Sequence, residues 1–426
     1  SGPAVTRQSV VELVVQAMSK FVDSERLQKD GSYTLGEMAE HKVNGGTIVD
    51  HAVIDVLLAA LTKHDVNLGV QEKGVYALGK LAWTQDDTFV VAVAEQGGFE
   101  LIVRTMTRFG SSVRMQEICC ECLAGLTLVV DSELAAAGHV CIEAVTRAMS
   151  KFPENQSVQL EGGLILENLA ERNAEEKIVG CEGIELLVQG MTTFPNDEQL
   201  QENDCKALAR LMFWNDETTT AVAREGAIEV IVRAMLKFGS NEHIQESGCD
   251  ALATATMTSN MQTEAVTAVA RLEGVQLVTE AMANFENNEH IQEEGCTVLG
   301  QMASITGRGA AIGRRKGIEL ILGAMSNFGD SEGVQWRACC ALEELVVNDT
   351  NAVAIGSQRG IALLVAAITN FETSEDIRIA ACGVLRELAR GRSTIAGDLD
   401  GVDVAPVYKR RRVCLQSGQR NSYFRT

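Results

Sequence analysis

The stretch GAIEVIVRAMLKFGSNEHIQESGCDALATAT, residues 226–256, decides the architecture. In its first half Ile228, Ile231, Met235 and Phe238 fall at i, i+3, i+7 and i+10, one apolar stripe on a helix. A polar link follows, in which Asn241 suits a helix N-cap and Glu242 suits a first turn. In the second half Ile244, Gly248, Leu252 and Ala255 form another stripe, with Gly248 and Cys249 small enough for a neighbouring helix to come close. The embedded NEHIQESGC (241–249) returns as NEHIQEEGC (288–296), so His, Glu and Cys recur at metal-ligand-like spacing.

The stripe-ending segment recurs along the whole chain. It reads AMSKF (17–21), ALTKH (60–64), TMTRF (105–109), AMSKF (148–152), GMTTF (190–194), AMLKF (234–238), AMANF (281–285), AMSNF (324–328) and AITNF (367–371). A period near 43 residues means stacked supersecondary repeats, each able to bury its apolar face only against its neighbours. A third, shorter helix such as 218–225 precedes each stripe, and glycines at 98, 183, 226, 274, 317 and 360 recur at the corner between them. A sharp turn there calls for left-handed backbone angles, which Gly tolerates.

The period removes the metal reading. The slot of His243 and His290 holds Arg26, Gly69, Arg114, Ser157, Gln199, Gly333 and Asp376 elsewhere, the spread of a solvent-facing position. A zinc site would need four converging ligands. The Cys119-Cys120-Cys122 and Cys339-Cys340 groups diverge on a helix and lack nearby His, so no metal and no cofactor is expected. Cys205, Cys249, Cys296, Cys339 and Cys382 share one slot, as small buried residues of a reduced intracellular chain would.

Composition agrees with helices. Of 426 residues only 4 are Pro and 4% are aromatic, against 46% apolar, which disfavours a β-sandwich or barrel. A net charge of −21 argues against nucleic-acid binding, which needs a basic face. The run VIDVLLAAL (53–61) is far too short for a bilayer, so no membrane span is expected, and no secretory signal opens the chain. The start SGPAV, without Met, suggests a scar or a cut edge, and the first helix of the first repeat is expected to lie upstream. Phosphate loops, nucleophile elbows and HExxH motifs are absent; the glycines of GRGAAIGRRKG (307–317) match a repeat linker, and no enzyme is expected.

Three helices per repeat, a corner Gly, no recurring Pro and third helices reading IQESGCDALATAT resemble the armadillo repeat family over residues 10–390. The resemblance implies an all-α, right-handed α-solenoid (superhelix) of about nine three-helix repeats, with the third helix lining a concave face. Residues 1–390 form the expected solenoid, 391–412 a degenerate capping repeat and 413–426 a flexible basic tail. On the third helices a Gln recurs as Gln28, Gln71, Gln116, Gln159, Gln201, Gln245, Gln292 and Gln335, replaced by Arg378 in the last repeat. We read it as a structural ladder bonding backbone in the adjacent repeat, with a row of amides gripping a peptide as the alternative.

Beside it run Glu72, Glu117, Glu202, Glu246 and Glu293, with Tyr76 one turn on from Glu72 and Glu161 one position out of line. These six residues, Glu72, Tyr76, Glu117, Glu202, Glu246 and Glu293, are the expected partner-binding set, facing a protein or peptide segment of basic character. The Trp/Asn pairs of importin-alpha-type adaptors are missing from the matching positions. The expected function is a non-catalytic scaffold or adaptor. The alternatives are a regulatory segment of a larger signalling protein and a nucleocytoplasmic shuttling factor. Residues 391–426 carry seven Lys/Arg and three Asp, and Lys409, Arg410, Arg411 and Arg412 resemble a short nuclear localisation signal. The expected location is cytoplasmic, with nuclear entry if that tetrad acts, and the tail could also fold back onto the acidic row.

Overall fold

The computed structural model describes residues 7–40, 51–84, 87–128, 138–257, 264–306, 309–314 and 316–391. Among these residues every regular element is a helix. Apart from Gly391, which ends the helix Glu375–Gly391, the expected cap (391–412), the tail and the Lys409–Arg412 tetrad lie outside the described residues. No single described helix is long and apolar enough to cross a membrane.

Repeat 6 shows how the pattern folds. The middle helix Ala227–Lys237 buries Ala227, Ile228, Val230, Ile231, Ala234 and Met235, leaving Arg233, Leu236 and Lys237 outside. Its first-half stripe is therefore core, as the spacing predicts. The third helix Glu242–Thr256 starts at Asn241, whose side chain accepts a 2.9 Å hydrogen bond from the Ile244 amide. Asn67, Asn155 and Asn288 cap their third helices identically, on Val70, Val158 and Ile291. Each cap satisfies one of the orphan donors of a helix start.

Gly248 seats the Met in front of it. A Cβ there would lie 2.4 Å from Met235 Sδ. The same fit recurs where Gly31 takes Met18, Gly162 takes Met149 and Gly295 takes Met282. The middle and third helices of a repeat are thus locked by a flexible thioether seated on bare backbone.

The Gln ladder is structural, but its partners differ from the sequence reading. Each amide bonds backbone in its own repeat, ten and seven residues earlier, rather than in the adjacent one. Gln245 Nε2 donates to Met235 O at 2.8 Å and Phe238 O at 3.3 Å; Gln159 does the same to Met149 O and Phe152 O, and Gln335 to Met325 O and Phe328 O. The Met carbonyl lies in the last turn of the middle helix, where acceptors are left over, while the Phe carbonyl also accepts from the amide three residues on, as Phe238 O does from Asn241 at 2.9 Å. The Gln side chains are 1–3% exposed, so the alternative of amides gripping a peptide is excluded for these donors.

The corner glycines have a different cause from the expected one. Left-handed angles fall on Gly97, Glu182, Gly226, Glu273 and Lys316. In four of these corners the recurrent Gly is the next residue, and there it is space that demands it. A Cβ on Gly98 would lie 2.8 Å from Val93 O, and on Gly183 2.8 Å from Ile178 O. Three non-glycine residues accept the strained angle so that the following Gly can let two helices cross at contact. In repeat 6 Gly226 takes the angle itself.

The chain divides into two compact bodies, Ser1–Ala207 and Leu208–Thr426. In the first, the third helices Glu25–Glu40, Leu68–Ala82, Val113–Leu128 and Gln156–Ala170 pack each on the next. The middle helices Arg7–Lys20, His51–Lys63, Gly98–Arg108, Ile142–Lys151 and Gly183–Thr193 stack alongside in the same order. In the second, the third helices Glu242–Thr256, Glu289–Thr306, Glu332–Leu345 and Glu375–Gly391 form one such row. Their middle helices Ala227–Lys237, Gly274–Asn284, Gly317–Asn327 and Gln358–Asn370 form another. Like packing on like, repeat after repeat, is the solenoid principle.

Candidate functional site

One position past each buried Gln, the third helix turns its side chains to a half-exposed face, and the residue four further on shares that side. In the first body this face opens with an aromatic–lysine group. The Tyr33 and Tyr76 rings lie 6.0 Å apart on successive third helices. Lys73 Nζ stands 4.6 Å from the Tyr33 ring centre and Lys80 Nζ 5.3 Å from that of Tyr76, within cation–π range. Tyr76 donates its hydroxyl to Glu37 at 2.9 Å, and Lys80 pairs with Glu121 at 3.1 Å. Trp83 lies across the next third helix, its Nε1 donating to Glu121 O at 3.1 Å, where Gly125 leaves room for the ring. Tyr33 is 42% and Trp83 36% exposed, so large apolar rings meet solvent along this row.

The expected acidic residues sit on this face, but most already have partners. Glu72 lies 3.7 Å from Lys73, Glu117 accepts from Asn155 at 2.9 Å and Arg114 at 3.4 Å, and Glu202 pairs with Lys206 at 2.8 Å. Glu293 is 8% exposed, with Arg337 Nε 3.8 Å away and its carboxylate lying against the backbone of Gly333. Burial raises its pKa, and the Arg337 charge opposes that shift. Glu246 is half-buried near His290 and Cys249, and its charge raises the pKa of both. Periodicity alone could not show these pairings, because the cations keep no common slot: Lys73 follows its Glu directly, Arg114 lies three residues before, Lys206 four after, and Arg337 on another helix.

Glu161, the residue out of line, keeps a buried Oε2 without a hydrogen-bond partner. Burial first, and Glu121 second, push its pKa to about 7. In the second body Glu294 behaves alike, at about 7, with burial as the leading cause and Asp250 adding to it. Trp336 Nε1 and Arg337 Nε are further buried atoms without a hydrogen-bond partner, and Arg337 stacks 4.3 Å from the Trp336 ring centre.

The repeated histidines part company. His243 is exposed, as a solvent-facing slot predicts. His290 is not merely a helix tip: its Nε2 meets Asp250 Oδ1 of the preceding repeat at 2.6 Å. Burial disfavours its charge, but the Asp250 bond and the charges of Asp250, Glu294 and Glu246 outweigh that and raise it to about 9. Cys249 and Cys296 are fully buried on the packing side of their helices. Among the described residues no three His, Cys, Asp or Glu side chains are grouped to hold a metal ion. Burial raises the thiols of Cys119, Cys120, Cys122 and Cys205, and those of Cys141 and Cys339 to about 12, which makes them poor nucleophiles.

Stacked three-helix repeats with a side-chain row along the third helices define an armadillo-repeat solenoid. Comparison with known proteins agrees. The model of the family described as LRRK2 ARM repeat matches residues 6–179, 57–274 and 180–306, and the chain belongs to that family. A crystal structure of an engineered protein from the Northeast Structural Genomics Consortium aligns with a TM-score of 0.70 at 22% identity, over 91% of this chain and 90% of that one. A chain from work on a conserved phosphorylation switch controlling the interaction between cadherin and beta-catenin aligns with a TM-score of 0.63 at 15% identity, over 92% and 93%. At these identities the likeness concerns the fold. Comparison with curated proteins returns no match.

Proposed function

We propose that the chain is a non-catalytic scaffold that takes an extended segment of a partner protein along its third-helix rows. The observation that carries this reading is the solvent-facing aromatic–lysine group of Tyr33, Lys73, Tyr76, Lys80 and Trp83. Large rings left 36–42% exposed on adjoining helices offer contact area at little cost in side-chain entropy, as interface anchors do. The armadillo fold supports it by analogy, since one fold-level neighbour comes from work on an interaction between two proteins. In the second body Glu246 is the acid of the row best placed to meet a basic side chain of the partner. Glu72, Glu117, Glu202 and Glu293 mainly hold their own neighbours, so the partner's basic character rests on fewer residues than the bare sequence implies.

The test compares partner capture by wild type, Tyr33→Ala/Tyr76→Ala, Glu246→Lys and Leu236→Ser. Leu236 is 63% exposed on a middle helix and serves as the control. Partners lost in the two row variants and kept by Leu236→Ser support the proposal. Partners lost only in Leu236→Ser would move the binding face to the middle helices.

A further inference from the structure

We propose that Asp204, Gly163 and Gly190 form a buried proton-binding site, in which Asp204 carries a proton at neutral pH and donates it as a hydrogen bond to Gln159 Oε1. Asp204 lies on the third helix of repeat 5 and is 0% exposed, and neither carboxyl oxygen has a hydrogen-bond partner. Its slot, three residues after the ladder Gln, holds Gly31, Gly74, Cys119, Gly162, Gly248, Gly295, Ala338 and Ala381 in the other repeats. An acid there departs from a position otherwise kept small.

Two further departures make room for it. Four residues after the ladder Gln, repeat 4 has Gly163 where its equivalents are Ser32, Val75 and six Cys. A Cβ on Gly163 would collide with Asp204 Oδ1. Directly before Met191 near the end of the middle helix, repeat 5 has Gly190 where the others have Ala or Thr105. A Cβ on Gly190 would lie 3.1 Å from Asp204 Oδ2 and 3.5 Å from Gln159 Oε1. Three exceptions to the repeat thus meet at one point, which packing alone would not bring about.

The chemistry of that point calls for a donor. Gln159 spends its Nε2 on Met149 O and Phe152 O, so what it presents towards Gly190 is an acceptor oxygen. Two repeats earlier the same acceptor is satisfied: Thr105 donates its hydroxyl to Gln71 Oε1 at 2.6 Å. Gly190 stands in the slot of Thr105, and the Asp204 carboxyl fills the space that hydroxyl would occupy. An ionised carboxylate would set acceptor against acceptor in a dry interior; a protonated one supplies the missing O–H.

The surrounding charges favour the proton. Burial raises the Asp204 pKa well above the ordinary value, and Asp197 at the start of its own helix raises it further. On the same helix Glu202 and Lys206 pair with each other. Glu161 and Glu167 are the acids on the adjoining third helix of repeat 4; Glu161 is itself raised towards neutrality and brings no cation. Glu185, on the middle helix of repeat 5, is exposed.

The full chain tests this in wild type, Asp204→Asn and the double variant Asp204→Gly/Gly190→Thr. Asparagine keeps the shape with a permanent donor, and the double variant rebuilds the Thr105 arrangement. Infrared difference spectra between wild type and either variant at pH 7 should contain one protonated-carboxyl C=O band belonging to wild type. Amide hydrogen exchange over Glu198–Trp214, compared at equal pH, should match in wild type and Asp204→Asn near pH 4. Wild-type opening should then exceed the variant's by about tenfold per pH unit until the folded carboxyl ionises. A difference spectrum without the band, or one in which it appears only after sodium and potassium are removed, overturns the proposal. So does an exchange ratio independent of pH. The double variant keeps the spectral test alive should Asp204→Asn misfold.

Discussion

Replacing Gln245 with Leu removes one rung of the amide ladder while keeping most of the apolar volume. Gln245 is 3% exposed and donates to two carbonyls, at 2.8 and 3.3 Å. Phe238 O retains a second donor, the Asn241 amide at 2.9 Å, so the substitution orphans chiefly Met235 O. One lost hydrogen bond contributes about 1 kcal/mol, and a buried carbonyl left unmet adds about 1–3, for a total of about 2–4 kcal/mol. Repeats unfold as neighbours coupled locally, so the loss should concentrate in repeat 6 and its two contacts rather than spread evenly. Hydrogen exchange over Ala227–Thr256 should therefore quicken by roughly 30- to 700-fold, with little change in repeats 1–3. Partner affinity should hold wherever repeat 6 stays folded. A change below about twofold would refute the clamp, because the two bonds would then contribute no net stability.

Other perturbations probe the charges and the glycines. Glu161→Gln should stabilise the chain at pH 8 and leave it unchanged near pH 4. The wild-type carboxyl is raised from 4.5 to about 7 in the fold, so its stabilising proton is lost as pH climbs between those values, at most about 3 kcal/mol. A pH-independent difference in denaturant midpoint would contradict this. His290, raised to about 9, contributes stability that is full below its ordinary 6.5 and fades as pH rises towards 9; Asp250→Asn should move its NMR titration back towards 6.5. An unshifted titration would mean that Asp250 does not hold the charge. Gly98→Ala should cost about 1–3 kcal/mol, since the new methyl group meets Val93 O. Gly323→Ala, with nothing within 4 Å of the added carbon, should gain about 0.5–1 kcal/mol from helix propensity; equal midpoints for the two would void the crossing argument.

What could be read from the sequence follows from what a period records. The stripe Ile228–Ile231–Met235, the Asn241 cap and the small Gly248 slot are fixed by bonds and packing inside one repeat, and nine copies average away the noise. The direction of the Gln bonds was not readable, because a buried amide suits a carbonyl of either repeat. The corner was misassigned by one residue because both Gly98 and its predecessor Gly97 are glycines, while Glu182, Glu273 and Lys316 carry the left-handed angle unannounced. The site was legible only as a row. Glu117 and Glu293 look alike in the alignment of repeats, yet one is bound by Asn155 and Arg114 and the other is buried beside Arg337. The aromatic–lysine group spans Tyr33, Lys73 and Tyr76 from two repeats, a juxtaposition that only stacking creates. Asp204 stands out in the sequence too, as the one acid in a slot of Gly, Ala and Cys.

The claim that the third-helix row receives the partner is tested most directly by placing a photo-crosslinking residue at Tyr33, at Glu246 and at Leu236 in separate full-length proteins. After irradiation with partner present, crosslinks to the partner at both Tyr33 and Glu246 are the predicted result. Crosslinks from Leu236 alone, with both row positions silent, would contradict it.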